Sequence, residues 1–194
     1  MTNSHSASLV AAIVAASLIV ASPSIVARVD VRVEFDKAFD FRAVHAWDWH
    51  PEGAGDVKMA RTRDDDPDAM KRTAEPWILD AVGKEMARLK LVRAFPPDLT
   101  IRYYLLLSTN ISAQTMGQFL PAVPQWGLPP FPPATQSFQV MHRGSLVLDL
   151  SANDTVVWRG LAQANIRTDI DNQKRESLLR EAVRDLLRRY PVRR

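Results

Sequence analysis

The sequence predicts an α+β domain, built as a two-layer sandwich in which two helices cover one face of a mostly antiparallel sheet of about five strands. Three observations lead to this fold class. Short segments of β-forming residues alternate apolar and polar side chains, longer segments repeat apolar side chains every three or four positions, and turn residues separate the segments. Along the chain the predicted order is strand, strand, helix, strand, long loop, hairpin, helix.

The composition is that of one ordinary globular domain behind an N-terminal segment. Of the 194 residues, 46% are hydrophobic and 24% are charged, which suffices for a sizeable core. The chain has no cysteine, which excludes disulfides, thiolate metal sites, a cysteine nucleophile and a lipidated N-terminal cysteine. The net charge of +3 arises from residues 171–194, where basic side chains outnumber acidic ones. Such a region can attract an anionic lipid or glycan, although a solvated helix face is the simpler interpretation.

The N-terminal segment has the character of an export signal. Residues 1–27 contain no Asp, Glu, Lys or Arg, and residues 9–20 form an unbroken run of apolar and small side chains. This length is typical of the hydrophobic region of a signal peptide. We therefore expect a signal peptide at 1–27 and a single domain at 28–194 in the periplasm or cell envelope. The alternatives are an uncleaved anchor, in which residues 7–27 hold the protein to the inner membrane, and a buried helix.

Two strands are predicted at the start of the domain. Within residues 28–36, hydrophobic side chains occupy alternate positions, as a half-buried antiparallel strand requires. In the next strand Trp47 and Trp49 share one face, which we take to be the core face. His45 and His50 point to opposite faces of a regular strand, so they cannot bind one metal ion together.

Residues 51–73 are predicted to form a loop, because they show no hydrophobic period of either kind. The acidic run at 64–68 could attract Ca²⁺, but it lacks the glycine and the distal glutamate of a calcium-binding loop. A helix is predicted next, with Pro76 in its first turn. Its buried stripe consists of Ile78, Leu79, Val82, Met86 and Leu89.

The segment at 110–141 combines many prolines with aromatic residues, so it is neither a regular strand nor a simple spacer. Two interpretations remain open. Phe119, Trp126 and Phe131 could dock on a partner or on a membrane surface, because aromatic side chains lose little entropy when they are buried. Alternatively, the segment could fold back as a flap that covers an exposed face of the domain's own sheet.

A strongly apolar segment at 99–108 predicts a central strand, and residues 143–166 predict a β-hairpin. In the hairpin, two runs of β-forming residues flank the turn residues 151–155. One face of the hairpin is a core surface formed by Leu146, Leu148, Leu150, Val156, Trp158, Gly160 and Ala162. Asp149 and Arg159 lie on neighbouring strands, and we expect them to form a structural ion pair across the hairpin.

The last predicted element is an amphipathic helix that ends at Pro191. Its N-cap is Asp171 or Asn172. The buried stripe of this helix consists of Leu178, Leu179, Ala182, Val183, Leu186, Leu187 and Tyr190. Arg188 and Arg189, near the end of the helix, are basic residues of a candidate interaction surface.

Four motifs together resemble one protein family. They are the opening strands VRVEFDKAFDFRAVHAWDW, the strand PPDLTIRYYLLLS, the hairpin GSLVLDLSANDTVVWRGLA and the final helix LLREAVRDLLRRYP. Over Val29 to Pro191 the chain resembles domain-of-unknown-function family 4136, bacterial envelope proteins often described as lipoproteins. The motif residues with a structural role are Trp47, Gly144, Leu146, Asp149, Trp158, Arg159 and Gly160. The resemblance implies an exported domain of this layered build without an established activity, although this chain lacks the cysteine through which many relatives are lipidated.

The sequence favours a non-catalytic exported domain that binds another component of the cell envelope, which could be a protein, an anionic lipid or a glycan. The candidate surfaces are the 110–141 loop and the basic C-terminal helix. No catalytic, cofactor-binding or metal-binding residue is assigned, because His45, His50 and His142 stand outside any recognisable nucleophile or metal motif. The alternative is a hydrolase or small-molecule-binding protein with a site between the loop and the sheet. Nucleic-acid binding is not expected, because no strand interleaves aromatic and basic residues.

Overall fold

The computed structural model describes residues 29–59, 66–109, 142–165 and 170–191. Within these ranges the strands are β1 (Asp30–Phe35), β2 (Ala46–Trp49), β3 (Gly55–Met59), β4 (Val92–Arg93), β5 (Leu99–Thr109), β6 (His142–Ala152) and β7 (Thr155–Asn165). The helices are α1 (Pro67–Arg88), between β3 and β4, and α2 (Asn172–Leu187), after β7. The predicted signal peptide at 1–27 and the proline-rich segment at 110–141 lie outside the described residues.

The strands form one seven-stranded sheet in the order β1-β7-β6-β5-β2-β4, and β3 pairs with a separate part of β5. The neighbours from β1 to β5 are antiparallel, whereas β2 and β3 run parallel to β5, and β4 runs parallel to β2. The predicted α+β class with two helices is confirmed. The predicted sheet of about five mostly antiparallel strands is corrected to a larger, mixed sheet.

The two strands that the sequence did not predict are short and lie at edges of the sheet. β3 has five residues, of which only Gly55 and Val57 are buried, and β4 has two exposed residues. Neither segment carries enough apolar side chains to predict a strand alone, because the neighbouring strand supplies most of the stabilising contacts. The prediction of a loop at 51–73 is therefore wrong over β3.

The first helix also begins earlier than predicted, so the loop prediction is wrong at its C-terminal end too. Asp66 is the N-cap, since its carboxylate accepts a hydrogen bond of 2.9 Å from the backbone N–H of Ala69. Pro67 starts the helix, and Pro76 lies inside it and not in its first turn. Proline removes a backbone hydrogen bond there, but buried residues on both sides hold the helix against the sheet. Residues 64–65 of the acidic run lie outside the described ranges.

The main core lies between the helices and one side of the sheet, which we call the helix face. The core residues that are fully buried include Ile78, Val82, Met86, Ile101, Tyr103, Leu148, Leu150, Trp158, Val183 and Leu186. In the hairpin, Leu148 is opposite Gly160 and Leu150 is opposite Trp158. The core face predicted for the hairpin is thus confirmed except at Val156, because a register shift after Leu150 places Val157, and not Val156, in the core. The two helices pack against each other, and Arg180 binds Asp80 between them.

Local chemistry fixes the hairpin turn and the start of the last helix. Asn153 and Asp154 have φ angles of +47° and +60°, the left-handed conformation that a tight hairpin turn requires. The carboxylate of Asp171 accepts a hydrogen bond of 2.7 Å from the backbone N–H of Lys174. Of the two predicted N-caps, Asp171 is therefore the one observed. Among the described residues, neither helix has both the length and the apolar character needed to cross a bilayer.

Candidate functional site

The sheet has a second face, turned away from both helices, that also carries buried side chains. Its apolar residues on the central strands are Tyr104, Leu106, Val147 and Leu161, which are 5%, 0%, 1% and 1% exposed. We call these four residues the second-face patch. Tyr104 is directly opposite Val147, and Val147 is directly opposite Leu161, so the patch is continuous across β5, β6 and β7.

A buried ion pair lies beside this patch. Arg159 Nε donates to Asp149 Oδ1 at 2.7 Å, and Arg159 Nη2 donates to Asp149 Oδ2 at 2.6 Å. The arginine side chain is 4% exposed and the aspartate side chain 2%. Burial raises the pKa of Asp149, and the hydrogen bonds from Arg159 act in the opposite direction. The ion pair expected across the hairpin is present, and its bidentate geometry favours a structural role over acid–base chemistry.

Strand register extends this pair into a row of charges that alternate in sign. Across four neighbouring strands, the residues directly opposite one another are Glu34, Arg159, Asp149 and Arg102. Arg102 also binds Glu52 at 3.2 Å and Asp56 at 3.4 Å. A shift of one residue along a strand would turn the buried charges toward the helix face. The row therefore favours a single strand register.

A groove lies between α1 and the β2–β4 edge of the sheet. Its volume is about 1000 Å³, and its walls include Trp47, Trp49, Leu79, Lys90, Val92 and Arg93. The indole rings of Trp47 and Trp49 meet edge to face, with centroids 5.5 Å apart and an interplanar angle of 82°. Arg93 Nε donates to Asp48 Oδ1 at 2.7 Å, and this hydrogen bond lowers the pKa of Asp48. The groove thus combines aromatic walls with charged groups.

The rim of the groove is an exposed apolar strand edge. Val92 is 64% exposed and Phe95 is 89% exposed, and they are the exposed large hydrophobic residues of the described ranges. β4 is the last strand in the sheet order, so no described strand pairs with its outer side. We call Val92, Arg93 and Phe95 the β4 edge. An open edge that carries apolar side chains is a surface on which another chain can pair or pack.

The structure places only part of the predicted interaction surface. The aromatic residues predicted for the loop surface lie outside the described residues: Phe119, Trp126 and Phe131. Arg188 Nη1 lies 3.4 Å from Asp185 Oδ1, and Arg189 Nη1 donates to the carbonyl oxygen of Val31 in β1 at 2.6 Å. Both arginines are exposed, and each also binds a group of the domain itself.

The family-motif residues fall in the hairpin and in the groove wall. Gly144, Leu146 and Asp149 lie on β6, Trp158, Arg159 and Gly160 lie on β7, and Trp47 lies on β2. His45 is exposed, His50 is half-buried, and the side chain of His142 is not among those described. Within the described ranges, no group of three His, Asp or Glu side chains is arranged to hold a metal ion.

The β4 edge is the feature that the sequence did not predict. A strand of two residues leaves no hydrophobic period, and its position beside β2 depends on the parallel pairing. The available signal was the apolar pair Val92 and Phe95 in a segment of otherwise polar and small residues before Pro96 and Pro97.

Comparisons with known proteins place the chain in a family. The model of the family described as Domain of unknown function (DUF4136) matches residues 31–192. The chain belongs to this family. The resemblance inferred from the four motifs is thereby confirmed, and the DUF4136 match spans every strand from β2 to β7 and both helices.

Solved structures also resemble this DUF4136 protein. The PelC dodecamer from Paraburkholderia phytofirmans is 12% identical, with a TM-score of 0.38, and the match covers 86% of this chain and 100% of that chain. A single-residue variant of the same dodecamer is 13% identical, with a TM-score of 0.37 and coverage of 82% and 95%. None of the curated proteins matches the chain.

Proposed function

We propose that this protein is a non-catalytic exported domain of the cell envelope that binds another envelope component through the β4 edge. The observation that carries the proposal is the exposure of Val92 on an open strand edge and of Phe95 just after that strand, next to the half-buried Trp49 of the groove. Exposed apolar side chains on an unpaired edge favour association with another chain. The groove extends this surface beyond the edge itself.

Export is supported by the N-terminal sequence. The charge-free residues 1–27 and the apolar run at 9–20 fit a cleaved signal peptide. An envelope location would bring the β4 edge into contact with envelope proteins, lipid head groups and glycans. Among these partners, an apolar strand edge with an aromatic groove fits a protein best, since main-chain pairing and side-chain pockets can act together.

The polar groups of the second face support a binding role over catalysis. Arg159 donates two hydrogen bonds to Asp149, and Gln163 Nε2 donates to Ser145 Oγ at 3.2 Å. A hydrolase site between residues 110–141 and the sheet would need a nucleophile or base on this face that is free to react. These four side chains join β6 to β7.

The proposal is tested by photo-crosslinking in cells. A photoreactive phenylalanine analogue replaces Phe95, and in a matched control it replaces Ala38, which is exposed in the turn after β1 at the opposite edge of the sheet. We expect one dominant adduct at Phe95, none at Ala38, and loss of the Phe95 adduct when Val92→Glu places a charge on the β4 edge. The protein should be recovered from the periplasmic fraction, with an intact mass that lacks at least residues 1–22.

Three results would contradict the proposal. Equal adducts at Phe95 and Ala38 would show non-specific contact, and the absence of any Phe95 adduct in the envelope fraction would show that the β4 edge has no partner there. A full-length intact mass in the cytosolic fraction would contradict export. Val92 is exposed, so Val92→Glu should leave the fold intact, which far-ultraviolet circular dichroism checks.

A further inference from the structure

The groove between α1 and the β2–β4 edge has an apolar wall that the packing of the domain leaves open. On α1 this wall follows one stripe of the helix, with Leu79, Gly83 and Ala87 at helical spacing. Leu79 is half-buried and lies outside the hydrophobic core, so its predicted place in the buried stripe of the helix is wrong. With a volume of about 1000 Å³, the groove has room for more than one side chain from outside the domain.

Gly83 widens the groove at a position inside α1. A Cβ atom added to this glycine would have no neighbouring atom within 4 Å, so the packing of the domain does not require glycine there. Glycine inside a helix lowers helix stability relative to alanine, because it loses more conformational freedom on folding. The combination favours a role for Gly83 in letting another chain approach the backbone of α1 closely.

β4 offers main-chain hydrogen-bonding groups beside the groove. Val92 N–H donates to the carbonyl oxygen of His45 at 2.9 Å, and Ala94 N–H donates to that of Trp47 at 3.1 Å. Successive residues of a strand direct their backbone groups to opposite sides, so the N–H and C=O of Arg93 point away from the sheet. An extended peptide can bind both groups. Two such hydrogen bonds set the direction of a peptide but add little net affinity, so side chains in the groove must supply most of it.

The charges that line the groove leave one positive group without a counter-charge. Asp80 is bound by two basic side chains, and Arg93 Nε binds Asp48 at 2.7 Å. The exposed Lys90, by contrast, has no ion-pair partner among the described residues. Its backbone N–H already donates to the carbonyl oxygen of Ala87 at 2.9 Å, so its ammonium group is not needed to cap α1. A carboxylate on a bound chain would complement this charge.

We propose that the groove and the β4 edge together bind an extended acidic segment of a partner protein, which rests on the function proposed above and specifies the chemistry of the partner. The segment pairs with the backbone of Arg93 and inserts an apolar side chain between Trp49 and Leu79. It places the carboxylate of an aspartate or glutamate at Lys90. Gly83 provides the space that the inserted side chain needs.

Filling the groove from α1 tests this proposal. Short random peptides displayed on phage are selected on the purified protein, and a selected peptide is then labelled for fluorescence anisotropy. We expect the selected peptides to carry an acidic residue close to a large apolar one. Gly83→Leu fills the groove and should weaken peptide binding by about 10-fold or more, whereas the matched control Gly83→Ala should change Kd by less than about 3-fold. Neither variant should lower the melting temperature, because each replaces a glycine inside a helix and the space around it is open.

Charge exchange tests the role of Lys90. Lys90→Glu should weaken binding of the acidic peptide by about 10-fold, and a peptide in which lysine replaces the acidic residue should recover it. Lys37→Glu, a matched control in the exposed turn after β1, should leave binding unchanged. Selected peptides without acidic residues, equal binding to Gly83→Leu and the natural protein, or no recovery on charge exchange would each overturn the proposal.

Photo-crosslinking in cells distinguishes failure of this proposal from failure of the proposed function. With the photoreactive analogue at Phe95, we expect the adduct to disappear in Gly83→Leu and to persist in Gly83→Ala. The crosslinked peptide should be an acidic segment of another protein. An adduct that persists in Gly83→Leu would overturn binding in the groove while the β4 edge keeps its partner, and no adduct in the natural protein would contradict both proposals. A crosslinked carbohydrate, or a peptide from a second copy of this chain, would also overturn the acidic partner segment.

Discussion

Removing the carboxylate of Asp149 should destabilise the domain more than removing any carboxylate on its surface. In Asp149→Ala, Arg159 would stay buried without the group that binds its Nε and Nη2 atoms. Breaking a buried ion pair from one side typically lowers the free energy of unfolding by about 3–5 kcal/mol. A domain with a stability of about 5–15 kcal/mol would lose a large part of it. Urea unfolding, followed by tryptophan fluorescence, measures the change.

Two control variants show whether the loss of stability comes from leaving a buried charge without its partner. Asp149→Leu combined with Arg159→Met removes both charges and should recover most of the lost stability, because replacing a whole buried pair with apolar side chains is often neutral or stabilising. Glu176→Ala removes a surface pair with Arg180 and should lower stability by less than about 1 kcal/mol. If Asp149→Ala lowered stability no more than Glu176→Ala, the assignment of the ion pair as a buried structural element would be wrong.

The packing of Trp158 on Gly160 should give the second large effect. Trp158 is fully buried on the helix face, and Trp158→Ala should lower the free energy of unfolding by about 3–5 kcal/mol through loss of contacts and formation of a cavity. A Cβ atom on Gly160 would lie 2.5 Å from Trp158 Cη2 and 2.7 Å from Leu186 Cδ2. Gly160→Ala should therefore lower stability by about 1–3 kcal/mol through overpacking.

A double-mutant cycle tests whether the two residues act together. Trp158→Phe removes the atom nearest to the added Cβ, so Gly160→Ala should be better tolerated in the Trp158→Phe protein than in the natural one. We expect a coupling energy of about 1 kcal/mol or more from chemical unfolding of the four proteins. If the two effects were additive within about 0.5 kcal/mol, the small size of Gly160 would not be explained by the space that the indole ring needs.

The elements that the sequence predicted well are those whose own side chains specify them. The hairpin has a turn at Asn153 and Asp154 and two long runs of β-forming residues, and α2 has a strong apolar stripe and an N-cap. β3 differs, because its formation as a strand depends on pairing with β5. Gly55 there lies so close to Tyr103 that a Cβ atom would collide with its backbone oxygen. Such contacts between distant segments leave no periodic signal in the sequence.

The same distinction between local and distant contacts applies to the candidate sites. The Asp149–Arg159 pair could be predicted because both residues lie in one hairpin, whose turn fixes their register. The positions of Glu34 and Arg102 in the row of alternating charges could not be predicted. They depend on the pairing of β1 with β7 and of β5 with β6. The groove and the β4 edge required the parallel placement of β2 and β4. That placement is decided by the whole sheet.

Hydroxyl-radical footprinting, with the purified protein compared to the protein in its cells, tests most directly the claim that the protein binds an envelope component through its β4 edge. In the purified protein we expect rapid oxidation of Phe95 and slow oxidation of Tyr104, which is only 5% exposed. In cells, Phe95 should become protected while Tyr104 stays protected. Oxidation of Tyr104 as fast as Phe95 would contradict the burial of the second-face patch, and equal oxidation of Phe95 in both settings would contradict a partner at the β4 edge.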